Sequence, residues 1–324
     1  MLSQPVLLLL AEQHKSIRAK NMSDALMRAC PVCGSSESRV YLQKEEVRLV
    51  CCGRCSMIYV SPVPAEFASG QYYEREAGYY LSPAKLQNDY ADVRFERELR
   101  LFRKYCQNGN VLDVGCSTGA FLFQLRKRFA GDYDIIGTDV SGPALDYAES
   151  RGIPIVRGGF PEIRFHRQQF DAVTFWAVIE HLSDPKTFLE KAWSVLKPAG
   201  QCFVLVPNMN SLATRLLGRR YRYIYPQHLN YFTRTTLTNL VQEKFDIVVT
   251  RFTHLNPILI WQDWHNQGSE VPNEARAELL QKTTAYKQRA WLAPVKGTYK
   301  LTERVLAGFG LADNLAMVLC KRAR

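Results

Sequence analysis

A chain of 324 residues is roughly two domains long at about 150 residues per domain, and 47% hydrophobic residues can fill a sizeable core. Collagen, a coiled coil and wholesale disorder are excluded. Lys and Arg number 42 against 31 Asp and Glu, and residues 282–324 alone hold nine basic and two acidic residues, which is +7 of the formal +11; such a tail suits an anionic partner (a phosphate-bearing substrate, RNA or a membrane surface) or is simply a solvated basic face.

Taken from the start, residues 1–25 read as a loose leader: the apolar run Val6 to Leu10 is too short for a signal-peptide core and has no Lys or Arg before it. No stretch of eighteen apolar residues occurs, so no membrane span is expected. Nine cysteines, five of them between Cys30 and Cys55, do not form the pattern of a secreted disulfide framework, and a cytoplasmic location is expected.

Those five read Cys30-Pro31-Val32-Cys33 and Cys51-Cys52-Gly53-Arg54-Cys55, two C-x-x-C knuckles separated by eighteen residues. This is zinc spacing. Gly34 and Gly53 stand where tight turns are needed, and Ser38 to Val50 alternates as a β-hairpin would, bringing the knuckles together as a zinc ribbon over residues 26–65. The expected ligands are Cys30, Cys33, Cys52 and Cys55, with Cys51 a competitor for the place of Cys52. Four thiolates leave no open position, so the metal would be structural. After the exit Ile58 to Pro64, residues 66–109 read as a tyrosine-rich helical linker or lid, in which 85–106 has the period of an amphipathic helix.

From Asn110 short apolar runs alternate with helical periods, the signature of βαβ units and a parallel sheet. Val111-Leu112-Asp113-Val114-Gly115-Cys116-Ser117-Thr118-Gly119 is a strand and a glycine turn opening a helix, and Ile135 to Asp139 is a second strand ending in an acid twenty residues after Gly119. A nucleoside ligand with its ribose on a carboxylate suits that pair. The loop lacks G-x-G-x-x-G, and Asp113 would repel a pyrophosphate but welcome a cationic amino acid. At this point the chain resembles the class I S-adenosylmethionine-dependent methyltransferases, with Ser117 at the middle glycine of their first motif. Phe170 to Leu182 is similar to that family's fourth strand and the turn after it, and Leu196-Lys197-Pro198-Ala199-Gly200 to its turn into the fifth strand.

The resemblance implies that Asp113, Gly115, Cys116 and Gly119 face the methionine end of S-adenosylmethionine, Asp139 the ribose, Val140 and Phe160 the adenine, and Trp176, Ala177 and Val178 the sulfonium side. It implies an α/β fold: a seven-stranded Rossmann-like sheet with helices on both faces over residues 110–324, preceded by the zinc ribbon and interrupted by a helical insertion at 257–310 that carries Trp261, Trp264 and Trp291.

Beyond the fifth strand, Arg215 to Phe232 is a basic aromatic segment over the strand ends. Arg219, Arg220, Arg222 and Tyr225 are the expected grip on a small anionic acceptor, because guanidinium forks bind phosphate and carboxylate bidentately. The order of ribbon, linker, core and Pro-x-His-x-x-x-Phe resembles a methyltransferase subgroup that includes sugar C-methyltransferases. Methyl transfer is an in-line displacement that needs a base, and His181 and His228 are the candidates. The expected activity is methylation of oxygen or carbon on a small molecule such as a sugar nucleotide. The rivals are an RNA- or protein-directed methyltransferase, for which residues 30–55 show little basic excess, and a non-catalytic cofactor-binding module.

Overall fold

The computed structural model describes residues 26–44, 47–165, 169–265 and 293–323. The expected leader, Trp291 and residues 266–292 of the 257–310 insertion lie outside them. Two sheets organise the chain. The smaller is antiparallel, with order β1-β2-β3-β8, and joins β1 (Ser38–Lys44), β2 (Val47–Cys52) and β3 (Ile58–Val60) to β8 (Asn230–Tyr231). The hairpin expected between the cysteine knuckles is β1 and β2, and its sheet takes its last strand from the basic aromatic segment about 170 residues downstream.

The larger sheet contains β4 (Gly109–Val114), β5 (Tyr133–Thr138), β6 (Phe170–Trp176), β7 (Leu196–Pro207), β9 (Phe245–Thr253) and β10 (Asn314–Lys321), in the order β5-β4-β6-β7-β10-β9. β4 to β7 run parallel and β10 runs antiparallel to both its neighbours. The sheet has six strands among the described residues, against the seven expected. The missing one is the stretch at Ile155, which makes an isolated parallel bridge to Gly137. Gly137 donates to the carbonyl of Pro154 and accepts from the amide of Val156, at 2.9 Å each. Pro154 has no N–H to extend that ladder, and Gly158, at φ +123°, turns the chain away.

Alternation along the strands separates two faces. Leu112, Val114, Val173, Phe175, Val204, Val206, Leu315 and Met317 face one core, which they share with helices α4 (Pro185–Val195) and α6 (Arg234–Val241) and with Cys30, Cys52, Met57 and Tyr59 of the cysteine module. Val111, Ala172, Phe203 and Val318 face the other, beneath α1 (Glu96–Tyr105), α2 (Ala120–Arg128) and α3 (Gly142–Ser150). There Phe102 of α1 is fully buried, with its ring 4.8 Å from that of Phe203. The cysteine module and the main sheet therefore share an apolar core.

The helix expected over 85–106 is two helices, Pro83–Asp89 and α1. The carbonyl of Tyr90 accepts from the Gln124 side chain at 2.8 Å and that of Asp92 from Arg128, so tertiary partners take acceptors that a continuous helix would use internally. Helix α5 (Leu212–Leu217) follows β7, α7 (Pro257–His265) follows β9, and α8 (Ala293–Gly308) precedes β10. No helix of the described residues is long and apolar enough to cross a membrane.

One side chain joins the two sheets. Asn230, 2% exposed, donates through Nδ2 to the carbonyls of Ile179 (2.8 Å) and Leu182 (2.7 Å), at the turn after β6, and accepts through Oδ1 from Arg28 Nη2 at 2.9 Å. Arg28 also donates to Ser183 O at 2.8 Å, Leu229 O at 2.6 Å and Val60 O at 3.1 Å. Replacing Asn230 by Ala strands the buried Ile179 carbonyl, the partly buried Leu182 carbonyl and one guanidinium N–H. The expected loss is roughly 2–4 kcal/mol of unfolding free energy, read from urea denaturation against wild type.

Candidate active site

Open parallel sheets bind ligands outside the carboxyl ends of their strands, where strand order reverses. Here that point lies between β4 and β6, and Asp113 of β4 is in register with Thr174 of β6 and Gly137 of β5. Asp113 is 3% exposed and accepts from the Thr174 hydroxyl at 2.5 Å. Burial nevertheless pushes its carboxyl up to about 7.

The turn after β4 depends on its glycines in two different ways. Gly115 sits at φ +71°, and a Cβ there would lie 2.6 Å from Val178 Cγ2, so the close approach of the two turns needs glycine. Gly119, at φ +76°, is the N-cap of α2 and packs against Ala148 and Ile153, where a Cβ would lie at 3.1 Å from each. Ser117 adopts φ +50° in place of a glycine. Its strained backbone is held by Asp139, whose Oδ2 accepts from Ser117 N at 2.8 Å and whose Oδ1 accepts from Ser141 N at 2.9 Å. Cys116 turns its sulfur into the sheet against Gly137, so it offers backbone rather than thiol to a ligand. Val140 is exposed beside Asp139. Phe160 is a correction: 2% exposed, it packs in a core of rings with Phe175 (6.1 Å) and Phe188 (5.8 Å) and has no face left for an adenine.

At the end of β6 the Trp176 ring lies against Phe121 (5.2 Å) and Phe203 (6.1 Å), with Nε1 buried and lacking a hydrogen-bond partner. Ala177 is exposed at φ +58° and Val178 is half-buried over Gly115. The next turn, Ile179–His181, carries the two remaining groups of interest. His181 Nδ1 lies 2.9 Å from the carbonyl of Gln227, which fixes Nδ1 as the protonated nitrogen and leaves the lone pair on Nε2. Burial lowers its pKa to about 4.

His228 reaches the same place from the basic aromatic segment. The two imidazole rings are 4.7 Å apart, and His228 Nε2 meets the Tyr225 hydroxyl at 3.0 Å. The two base candidates, 47 positions apart in the sequence, thus form one cluster. Three neighbours were not among the expected site residues. Glu180 is 1% exposed, with neither carboxylate oxygen hydrogen-bonded, and burial pushes its carboxyl up to about 8. Tyr73, from the helical linker, presents its ring edge to His181 at 5.8 Å and has a buried, unpartnered hydroxyl. Gln227 supports His181 by its carbonyl and donates to Tyr72 through its side chain. The adjacency of Glu180 and His181 was visible in the sequence, but burial decides that the acid faces inward. The linker also reaches the β5 end, where Glu74 accepts from Gly142 N at 2.8 Å.

The arginine grip is not assembled as expected. Arg222 is 8% exposed and bound to Asp263 of α7, Nε to Oδ1 at 2.6 Å, with the same carboxylate accepting from Arg222 N at 2.9 Å. A guanidinium spent in a buried pair is not a receptor for an acceptor anion. Arg220 stacks on Trp264 of α7 at 5.3 Å and Arg219 is exposed. Tyr225 stays beside His228. A cleft lined by Pro207, Met209, Tyr221, Tyr223, His228 and Tyr231 opens next to that ring.

In the cysteine module the ligand atoms of Cys30, Cys33, Cys52 and Cys55 lie within 4.8 Å of one another, with sulfur pairs at 3.4 Å (Cys30, Cys55) and 3.5 Å (Cys33, Cys52). Tetrahedral ligands at about 2.3 Å from a zinc ion would stand about 3.8 Å apart. The knuckles repeat one turn: Gly34 N donates to Cys30 O at 2.9 Å and Ser56 N to Cys52 O at 3.1 Å, Gly34 and Ser56 both having positive φ. Ser56, not Gly53, thus takes the left-handed position of the second knuckle. Burial raises the Cys30 thiol to about 11, whereas at Cys52 the backbone amides of Cys55 and Arg54 overcome burial and bring the thiol down to about 7. Cys51 points to the opposite face of β2, into a separate apolar cluster with Leu49 and Ile58, and is not part of the group.

Residues 87–248 match the family described as "Methyltransferase domain". Among curated relatives, an uncharacterized protein of Methanocaldococcus jannaschii is 28% identical over 41% of this chain and 60% of its own length. A demethylmenaquinone methyltransferase of Listeria welshimeri is 22% identical over 44% of this chain and 64% of its own. A ubiquinone biosynthesis O-methyltransferase of Bradyrhizobium diazoefficiens is 33% identical over 44% and 58%. The chain thus spans about three fifths of these relatives. Among solved structures, an S-adenosylmethionine-dependent methyltransferase of Thermotoga maritima, described as a possible histamine N-methyltransferase, superposes with a TM-score of 0.52. It is 18% identical, over 78% of this chain and 99% of that one, and shares the fold.

The contact between the two turns generates a direct test. Gly115→Ala should lower unfolding free energy by roughly 2–4 kcal/mol, from left-handed strain plus overlap with Val178. Adding Val178→Ala should recover part of that loss, giving a favourable coupling in a urea-denaturation double-mutant cycle.

Proposed function

The chain belongs to the methyltransferase-domain family and has the class I S-adenosylmethionine-dependent methyltransferase fold, and from that premise we propose that it methylates an oxygen or carbon atom of a small acceptor presented to the cluster of His181 and His228. When bound, S-adenosylmethionine supplies an electrophilic methyl group on a sulfonium. The observation that carries this reading is a buried carboxylate, Asp113, directly ahead of the Gly115 turn, with two histidines from distant segments brought together at the end of the neighbouring strand β6.

The residues present fit the cofactor. Ionised Asp113 would hold the cationic amino-acid end, with its geometry set by Thr174. Backbone at Gly115 and Cys116 permits close approach. Asp139 would meet the ribose, using acceptor capacity beyond its two bonds to Ser117 and Ser141, since a carboxylate has about four lone-pair sites. Val140 offers an exposed apolar surface for the adenine. Trp176, Ala177 and Val178 would line the sulfonium side. Tyr73, which spans from the linker to His181, would exclude water from the space between donor and acceptor.

At the acceptor side the Nε2 lone pair of His181, aimed by the Gln227 carbonyl, and the His228 ring, braced by Tyr225, would take the proton that leaves the acceptor as its bond to the methyl group forms. Arg219, Arg220 and Tyr225 remain as the proposed contacts to the rest of the acceptor, and a sugar nucleotide is one molecule of the right kind. The four cysteines would hold one structural zinc, their convergence being the support for it.

Calorimetry tests the cofactor. S-adenosylmethionine should bind in the micromolar range and NAD should not, and heat from NAD alone would refute the reading. Because burial holds Asp113 near 7 without a ligand, and a cationic ligand prefers the carboxylate, binding below that pH must expel a proton. Affinity should therefore rise about tenfold from pH 6 to pH 8, with proton release detected by repeating the titration in buffers of different ionisation enthalpy. Asp139→Ala should weaken binding by roughly 1.5–3 kcal/mol.

Elemental analysis tests the zinc. Cys33→Ser should remove one equivalent and lower the melting temperature more than it changes cofactor affinity, because a closed site contributes to folding.

A further inference from the structure

We infer that Glu180, His181 and His228 form a second metal site, one that takes a divalent transition ion and leaves coordination positions open to oxygen donors of the acceptor. The inference rests on the reading of this cluster as the acceptor-facing end of the site and deepens it: in the metal-bound form the ion's acidification of the acceptor hydroxyl takes the place of proton removal by the two histidines. One ligand atom from each residue lies within 4.8 Å of the other two. Three ligands at about 2.1 Å from an ion stand about 3.4 Å apart in tetrahedral geometry, so small side-chain rotations close the set.

The unexplained group is Glu180. Its side chain is 1% exposed and neither oxygen has a hydrogen-bond partner. His181 Nε2 is 4.0 Å from Oε1, too far for a hydrogen bond. A buried carboxylate in that state is costly unless a proton or a cation completes it. Two imidazoles and one carboxylate are a donor set for a dication of borderline softness.

The surroundings match what a ligating histidine requires. Its second nitrogen usually donates to a carbonyl or carboxylate, which fixes tautomer and ring orientation. For His181 that partner is the Gln227 carbonyl at 2.9 Å, which aims Nε2 inward, and the His228 ring is held at its Nε2 edge by Tyr225 at 3.0 Å. The supporting shell is rigid: Leu229 N donates to Glu180 O at 2.8 Å, and Asn230 clamps the carbonyls of Ile179 and Leu182. Three protein ligands leave a fourth position for solvent or substrate, as in catalytic zinc sites. An ion here would orient an acceptor bearing a hydroxyl or carbonyl oxygen and acidify a bound hydroxyl. It would sit far closer to the chemistry than the four-cysteine group, whose positions are all taken by thiolates.

Cobalt(II) titration of the protein as purified tests this, because the ligand type of each bound ion is visible in its spectrum. A thiolate site gives intense sulfur-to-cobalt charge transfer, whereas a site of imidazole and carboxylate gives only weak visible bands. Wild-type protein should take up one equivalent of the second kind, and Glu180→Gln and His181→Asn should each weaken that uptake at least about tenfold. Absence of any equivalent lacking thiolate charge transfer in wild type, or its persistence in both variants, would overturn the inference. The wild-type spectrum decides even where a variant fails to fold. Calorimetry with S-adenosylmethionine on the same preparation separates the two readings. Cofactor binding without the second cobalt leaves methyl transfer and the histidine bases standing, while loss of cofactor binding in wild type removes the methyltransferase reading itself.

Discussion

The joint at Asn230 is the constraint on which the active end of this molecule depends. A single buried amide uses both its donor and its acceptor: it holds the turn after β6 by two carbonyls and the Arg28 guanidinium by its oxygen, while its own backbone pairs with Tyr59 of β3. The Asn230 side chain and the Ile179 carbonyl are buried and the Arg28 guanidinium and Leu182 carbonyl partly so, which favours partners inside the protein, and those partners come from three distant parts of the chain. His228 stands two residues before this joint and Glu180 and His181 lie within the turn it clamps. The cysteine module is thus built into the support of the candidate acceptor site, through β3 and β8, rather than carried as an appendage.

Around that support the site is assembled from ionisable groups deprived of solvent. Asp113 and Glu180 are raised toward or past neutrality by burial, and His181 is pushed the other way. Desolvation of this kind stores a demand for opposite charge, which a bound cation or a proton meets. Asp139 is also raised by burial, but its oxygens already brace the Ser117 and Ser141 amides. Its carboxylate therefore shapes the loop before any ligand arrives, and holds a non-glycine residue in the left-handed region.

Charge in this chain is distributed otherwise than its one-dimensional pattern suggests. Four arginines between positions 215 and 222 read as a grip for an anion, yet Arg222 closes on Asp263, a residue 41 positions later in α7, and Arg220 lies on Trp264 of the same helix. These pairings tie the basic aromatic segment to α7 and leave Tyr225 and His228 turned toward His181. A residue count cannot distinguish an arginine that awaits a ligand from one already paired, since that depends on which acid the fold carries to it.

The sequence by itself determined the parallel core, the glycine turn with its two acids, the cysteine hairpin and the identity of the two histidines, because each is written in local signals: strand and helix periods, turn residues and ligand spacing within a few positions. Tertiary structure alone decided the rest. It reduced the seventh strand to a bridge at Gly137, because Pro154 has no amide to donate and the chain turns away at Gly158. It sent Phe160 into a core of rings, chose Cys52 over Cys51 by the face of β2 on which each falls, and brought His228 to within 4.7 Å of His181. It also buried Glu180 without a partner. All of these are questions of which distant surfaces meet, and burial and pairing are properties of the packed chain, set by contacts between residues tens of positions apart.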